Sequence, residues 1–282
     1  MKKLNFALLL ALALSAVLVS CGGGGGGGGG GSAPATTTDS SNTNTATTST
    51  TTSTPTYFGT KSPTDSKALN DIVFNDGSAT PYTSGLSLTD SQKNAAVAVI
   101  FYKDSTKTLG VGLKRSASTI EWCLDTANGF NKNIDTIQCT PSGSPGAYTF
   151  SGDTDGSNNL AQIATYLTSH GSTDDTGTAG NYPAFEYAKN YGSTNGCTGA
   201  YATGWYLPSI AELYQIYNLR ANIDAAVALC GLTNTFSNGL FWSSSQYASL
   251  DDFAYRFTFD YYGSFYDDSK EGDFTVCAVR AF

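Results

Sequence analysis

The chain has 282 residues, of which 40% are hydrophobic and 12% aromatic but only 13% charged, with a net charge of -8 at pH 7. That acidic balance argues against nucleic acid and anionic lipid headgroups as ligands. With so few charges, Tyr, Ser, Thr, Asn and Gly must supply much of the polar surface, as on extracellular binding faces.

Lys2 and Lys3 precede an apolar run over residues 6–18, too short to span a bilayer, which ends at Leu18-Val19-Ser20-Cys21. Residues 1–20 read as a signal peptide. Small residues leading into a cysteine resemble the bacterial lipobox, so Cys21 is the expected lipidation site and the lipid the expected contact with a membrane. Loss of Lys2 and Lys3 leaves about -10, from 13 basic and 23 acidic residues. Residues 22–31 are all glycine, and residues 32–56 are almost wholly Thr, Ser, Ala and Asn. Such a stretch cannot build a core. Residues 21–56 are therefore expected to be a lipidated, solvated tether of roughly 30 Å mean reach. Gly22 does not resemble the aspartate that often retains lipoproteins at an inner membrane, so the outer membrane, with cell-surface exposure, is the expected location. Residues 57–282 are expected to form one domain.

Within that domain the apolar run over residues 95–102 predicts a buried strand, residues 103–108 a turn, and residues 109–113 the returning strand. Asn159 is expected to cap a helix through Leu167, and Pro183 to open another that stops at Gly192. The clearest start signal is Ser209-Ile210-Ala211-Glu212, a capping box whose helix should reach Leu219. A further helix over residues 223–230 should end at Gly231. From Phe241 onward strands take over: Tyr255, Phe257 and Phe259 alternate with polar neighbours, and residues 276–282 close the chain. The class is α+β.

Five cysteines remain beyond Cys21. Cys123 with Cys139 closes a short loop and is the preferred disulfide, Cys197 with Cys230 the next, leaving Cys277 buried in an apolar final strand. No CxxC occurs and His170 is the single histidine, so zinc and Cys/His catalysis find little support. Asp153-Thr154-Asp155-Gly156 with Asn158 resembles a calcium loop only in part, because glycine falls at the fourth place; a polar turn before a helix explains it more simply. No cofactor and no metal is expected.

Asp155-Gly156, Gly204-Trp205-Tyr206-Leu207-Pro208-Ser209 with Glu212-Leu213, Phe241-Trp242-Ser243-Ser244-Ser245, Ala254-Tyr255-Arg256-Phe257 and Val276-Cys277-Ala278-Val279-Arg280 resemble, in order and spacing, the C-type lectin fold of the formylglycine-generating-enzyme type. With the lipoprotein leader, the Gly/Thr tether and a Tyr/Asp/Ser-rich ending, the chain looks like the variable proteins of diversity-generating retroelements, of the treponemal kind. That resemblance implies a reverse transcriptase that rewrites AAY codons near the 3′ end, giving Tyr, Ser, Asp, Phe and others but never Trp, Lys, Gln, Glu or Met. It implies a variable ligand-binding region at about residues 242–282, in which Gln246, Arg256, Lys270 and Glu271 belong to a fixed frame or to other codons.

Trp205, Trp242, Tyr255, Phe257, Phe259 and Val279 read as scaffold. The candidate ligand-binding residues are Tyr247, Ser249, Asp251, Asp252, Phe253, Asp260, Tyr261, Tyr262, Ser264, Tyr266, Asp267 and Asp268, expected to form one exposed patch. Rigid Tyr gives wide contact at low entropic cost, and Ser and Asp add adaptable hydrogen bonds. Three functions compete: a surface binding protein for an unidentified protein or glycan, an enzyme of the formylglycine-generating type, and a calcium-dependent sugar lectin. The first leads. No cysteine pair matches the enzyme's motif, and Glu-Pro-Asn, Gln-Pro-Asp and Trp-Asn-Asp are absent from the sequence.

Overall fold

A computed structural model describes residues 56–172 and 179–282. The signal peptide expected at residues 1–20, Cys21 and the expected tether up to residue 55 lie outside the described residues. In chain order the elements are β1 (Asp71–Phe74), β2 (Ala79–Pro81), α1 (Asp90–Ala95), β3 (Ala96–Lys103), β4 (Thr108–Gly112), β5 (Ile120–Glu121), β6 (Cys139–Ser142), β7 (Thr149–Gly152), α2 (Asn159–Ser169) and α3 (Pro183–Thr194). There follow β8 (Trp205–Tyr206), α4 (Ile210–Asn218), α5 (Arg220–Leu229), β9 (Leu240–Gln246), β10 (Phe253–Thr258), β11 (Ser264–Ser269), β12 (Asp273–Phe274) and β13 (Val279–Ala281). The fold is α+β, built on antiparallel sheets: a six-stranded sheet in the order β2-β1-β3-β4-β13-β8 and a three-stranded sheet in the order β11-β10-β9.

Residues 96–101 of β3 are apolar on both faces because both faces are covered. Val99 and Phe101 enter one core with α4, α5 and the aromatic residues of β9 and β10. Ala98 and Ile100 enter a second core with α2, α3 and the three tryptophans, Trp122, Trp205 and Trp242. The side-chain period of two along a strand thus sends neighbours into different cores.

The capping box at the start of α4 forms in both directions: Ser209 Oγ accepts from the Glu212 amide at 3.1 Å, and Glu212 Oε2 accepts from the Ser209 amide at 2.8 Å. Two helix signals resolve differently from expectation. Asn159 does not cap α2, because a 3-10 turn over Gly156–Asn158 precedes it and Asp155 caps that turn; the buried Asn159 amide instead donates to Ser244 Oγ at 2.8 Å. Gly192 does not end α3 either. It sits inside the helix where a Cβ would come within 2.5 Å of the Trp205 ring nitrogen, so it is small for packing rather than for a turn.

Neither expected disulfide forms, since Cys139, Cys197, Cys230 and Cys277 are all free and buried. The reason is topological. Cys123 lies in the tryptophan-lined core and Cys139 in the other, and Cys197 and Cys230 are divided in the same way. Cys277 is fully buried, as expected, but precedes the final strand rather than lying in it, because β13 begins only at Val279.

Candidate functional site

The C-terminal sheet begins from a buried edge. Every residue of β9 except Leu240 is buried, including three consecutive serines, and each serine hydroxyl is bonded: Ser243 Oγ donates to the Tyr255 carbonyl at 2.6 Å, Ser244 Oγ accepts from Asn159, and Ser245 Oγ accepts from the Ile210 amide at 3.0 Å. A buried hydroxyl is tolerated only on those terms. Gln246, fully buried, accepts from the Ile134 amide and donates to the carbonyls of Lys132 and Asp251.

On β10, Tyr255, Phe257 and Phe259 just beyond it are 4%, 0% and 1% exposed and fill the core face. Paired residues share a face in an antiparallel ladder. Phe265 opposite Phe257 and Asp267 opposite Tyr255 therefore lie on the core side, whereas Ser264, Tyr266 and Asp268, opposite Thr258, Arg256 and Ala254, lie on the outer side. Arg256 is the centre of that outer face: its Nε donates to Asp268 at 2.9 Å, and its guanidinium lies 4.9 Å from the Tyr266 ring and 4.7 Å from Phe274.

Lys270 anchors one end of the sheet from beneath. Its side chain is fully buried, and its ammonium donates to the carbonyls of Gly129, Phe130, Lys132 and Asp251 at 2.6–3.3 Å, with the Trp122 ring 5.1 Å away. Burial pushes this ammonium down to about 8, against the pull of Cys123, Asp251 and Asp252. The loop after β9 is thereby fastened to the loop ahead of β6.

At the opposite end, Asp260 accepts from the amides of Tyr262 and Gly263 and folds the turn into β11. Gly263 has φ +60, and a Cβ there would strike the Tyr217 ring, whose hydroxyl donates to the Tyr261 carbonyl at 3.0 Å. Tyr261 and Tyr262 stand above the turn, 84% and 68% exposed, with ring centroids 5.2 Å apart.

None of the twelve candidate residues is buried: Ser249, Asp251, Tyr261, Tyr262, Tyr266 and Asp267 are exposed and the other six half-buried. They are not gathered into one cluster. Tyr247, Ser249, Asp251, Asp252 and Phe253 sit at the Lys270 end, with Tyr247 edge-on to Tyr255 at 5.4 Å. Asp260, Tyr261 and Tyr262 sit at the other end, across the length of β10, roughly 20 Å at the usual strand rise. Between them Ser264, Tyr266 and Asp268 surround Arg256, while Asp267 points to the opposite face.

Two contributors go beyond the sequence reading. Arg256, named there only as part of the frame, is one. The other is a row of aromatic rings brought by the β6–β7 hairpin and α4: Tyr148 lies 4.9 Å from Phe265 and 5.4 Å from Tyr214, and Phe150 lies 5.6 Å from Tyr214. The signal for that hairpin was Gly143-Ser144-Pro145-Gly146, a turn-forming run with both glycines at positive φ. The assembled surface offers carboxylates, phenols, hydroxyls and aromatic faces, a set suited to non-covalent contact.

No protein-family model matches the chain, and no curated protein does. Among solved structures, a fimbrial protein from Bacteroides ovatus is similar at 15% identity with a TM-score of 0.52, over 77% of this chain. The chain spans about half of that protein's length, 49%. At this identity the likeness concerns the fold alone. Among the described residues no helix is long and apolar enough to cross a membrane, and no group of three His, Cys, Asp or Glu is placed to hold a metal ion.

Proposed function

We propose that this chain is a surface-displayed lipoprotein, anchored through Cys21, that binds a protein or glycan through a Tyr/Asp/Ser-rich site on its C-terminal sheet, and that a retroelement diversifies this site. The observation that carries the reading is the division of labour within the segment. None of the twelve candidate side chains is buried, although Tyr247 packs against the core, whereas Trp242, Gln246, Tyr255, Phe257 and Lys270, which AAY rewriting would leave alone or the core requires, are buried. The finer fold assignment, a C-type lectin fold of the formylglycine-generating-enzyme type, belongs to the same reading and rests on the motif order. The protein is a binder rather than an enzyme, takes no cofactor, contacts a membrane through its lipid only and does not bind nucleic acid. Similarity to a protein described as fimbrial agrees with display at the cell surface.

Repeated deep sequencing of the 3′ end of the gene in a dividing population tests the diversification. Substitutions should concentrate at the codons for the twelve residues and spare Trp242, Gln246 and Lys270. An even spread along the segment, or no adenine-biased near-copy beside a reverse transcriptase gene, would overturn it. Replacing Cys21 with Ala should abolish acyl labelling and release the domain as soluble protein; label that persists on the mutant would refute the anchor.

A further inference from the structure

We infer that a second site, a cleft between α2, α3 and β8, binds a small amphipathic organic anion: an apolar ring or short alkyl body carrying one carboxylate or sulfonate. The cleft has a volume of about 460 Å³ and shares no residue with the C-terminal sheet. That size falls in the ordinary range of small-molecule pockets. Ala161 and Ala164 of α2 leave the space, Phe185 and Lys189 of α3 form the facing wall, and Trp205 and Tyr206 form the floor.

The polar ends of the floor residues turn away from the cleft. Trp205 Nε1 donates to the Tyr201 carbonyl at 2.9 Å and the Tyr206 hydroxyl to Glu212 Oε1 at 2.8 Å, so a ligand meets rings only. That sets the apolar half of its chemistry. The charged half follows from the ionisable residues at the rim. Lys189 lines the cleft, is exposed and makes no ion pair among the described residues. An adjoining hollow of about 370 Å³ shares Trp205 and Tyr206 and adds Arg280. Arg280 is fixed, donating to the carbonyls of Thr203, Ala200 and Ala281 between the rings of Tyr201 and Phe282. Lys189 is left as the cation free to turn toward a ligand. On a chain of net charge -8, an apolar cleft lined by one cation, Lys189, and no carboxylate, beside a hollow lined by Arg280, selects for an anion.

Titration with 8-anilinonaphthalene-1-sulfonate, followed by its fluorescence, tests the proposal. Saturable binding of one dye per chain is expected, displaced more readily by octanoate than by octanol. Ala161→Trp, at an exposed position of α2, should fill the mouth and abolish binding while the melting temperature stays put. Lys189→Glu, also at an exposed position, should weaken dye and octanoate by about three- to fivefold and leave octanol unchanged. Absence of saturable binding at millimolar probe, or equal binding by a folded Ala161→Trp protein, would overturn the site. Equal binding by Lys189→Glu would overturn the choice of an anion. Should Ala161→Trp fail to fold, the Lys189→Glu comparison and the order of octanoate and octanol still decide.

Discussion

The two outer strands of the C-terminal sheet differ in nearly every respect. β9 is buried along six of its seven residues; its serines are bonded inward, to α4, to Asn159 and to β10, and Gln246 to Ile134, Lys132 and Asp251. β11 has no buried residue at all; it pairs with β10 on one side, and among the described residues no strand pairs with it on the other. A position whose partners all belong to other elements constrains the fold, and one that stays partly open to solvent constrains it less. One sheet thus holds a strand that specifies the architecture and a strand on which substitution costs the fold less.

Substitutions can break that contrast. The largest effects belong to the buried side: Phe257→Ala should cost about 3 to 5 kcal/mol as a cavity in a filled core. Lys270→Met, which takes the ammonium from the carbonyls of Gly129 and Phe130 and leaves those of Lys132 and Asp251 with Gln246 alone, should cost a comparable amount, about 3 to 5 kcal/mol. Urea unfolding measures both. A loss under 1 kcal/mol for either, well below the range expected of buried groups, would remove the frame from the argument.

The next effect is a pH dependence. Glu212, which starts the helix that reaches Ser245, is pushed by burial up from an ordinary 4.5 to about 7, opposed by the bonds from Ser209, Tyr206 and Gly156. A raised carboxyl means that the folded chain binds more protons than the unfolded one between these values. The contribution to stability is therefore full below 4.5 and lost as pH rises through 7, a change on the order of 3 kcal/mol. Glu212→Gln should flatten the stability profile between pH 4.5 and 7; an unchanged slope would assign it to other groups.

Smaller still, Ser245→Ala should cost about 1 to 3 kcal/mol by leaving the buried Ile210 amide without its acceptor. On the other edge, alanine at Tyr261, Tyr262, Tyr266 or Asp267 should change stability by no more than about 0.5 kcal/mol. Melting curves that place these four beside Ser245→Ala would erase the distinction between the strands.

The buried side of the sheet was largely legible. Alternation of Tyr255, Phe257 and Phe259 gave the core face, Trp205 and Trp242 read as scaffold while Trp122 did not, and Ser209 with Glu212 marked a helix start that forms with both bonds. Local chemistry determines each of these. A second capping box, Thr89 with Gln92 ahead of α1, is equally complete and went unread because its helix is only six residues long. Asn159 and Gly192 misled for the opposite reason: each carries a local signal, yet distant partners, Ser244 and Trp205, decide its role. The candidate residues were legible as exposed but not as a shape. Their distribution over two ends and two faces follows from the β10–β11 register, and Tyr148 and Tyr214 arrive from elsewhere in the chain. No spacing in the C-terminal segment encodes either.

The seating of Arg256 makes two of the candidate positions interdependent. Its charge is balanced by Asp268 and its plane covered by Tyr266, and both of these residues are among the proposed rewritten set, whereas Arg256 is not. Loss of the aspartate alone uncovers a guanidinium held in place by Phe274, ready for a bidentate grip on a carboxylate or phosphate of a partner. Loss of the tyrosine alone leaves the ion pair but opens one face to stacking. Selection at residues 266 and 268 would then act on the pair, and a repertoire sampled from this gene should show epistasis between the two columns, with variants lacking Asp268 enriched against acidic ligands.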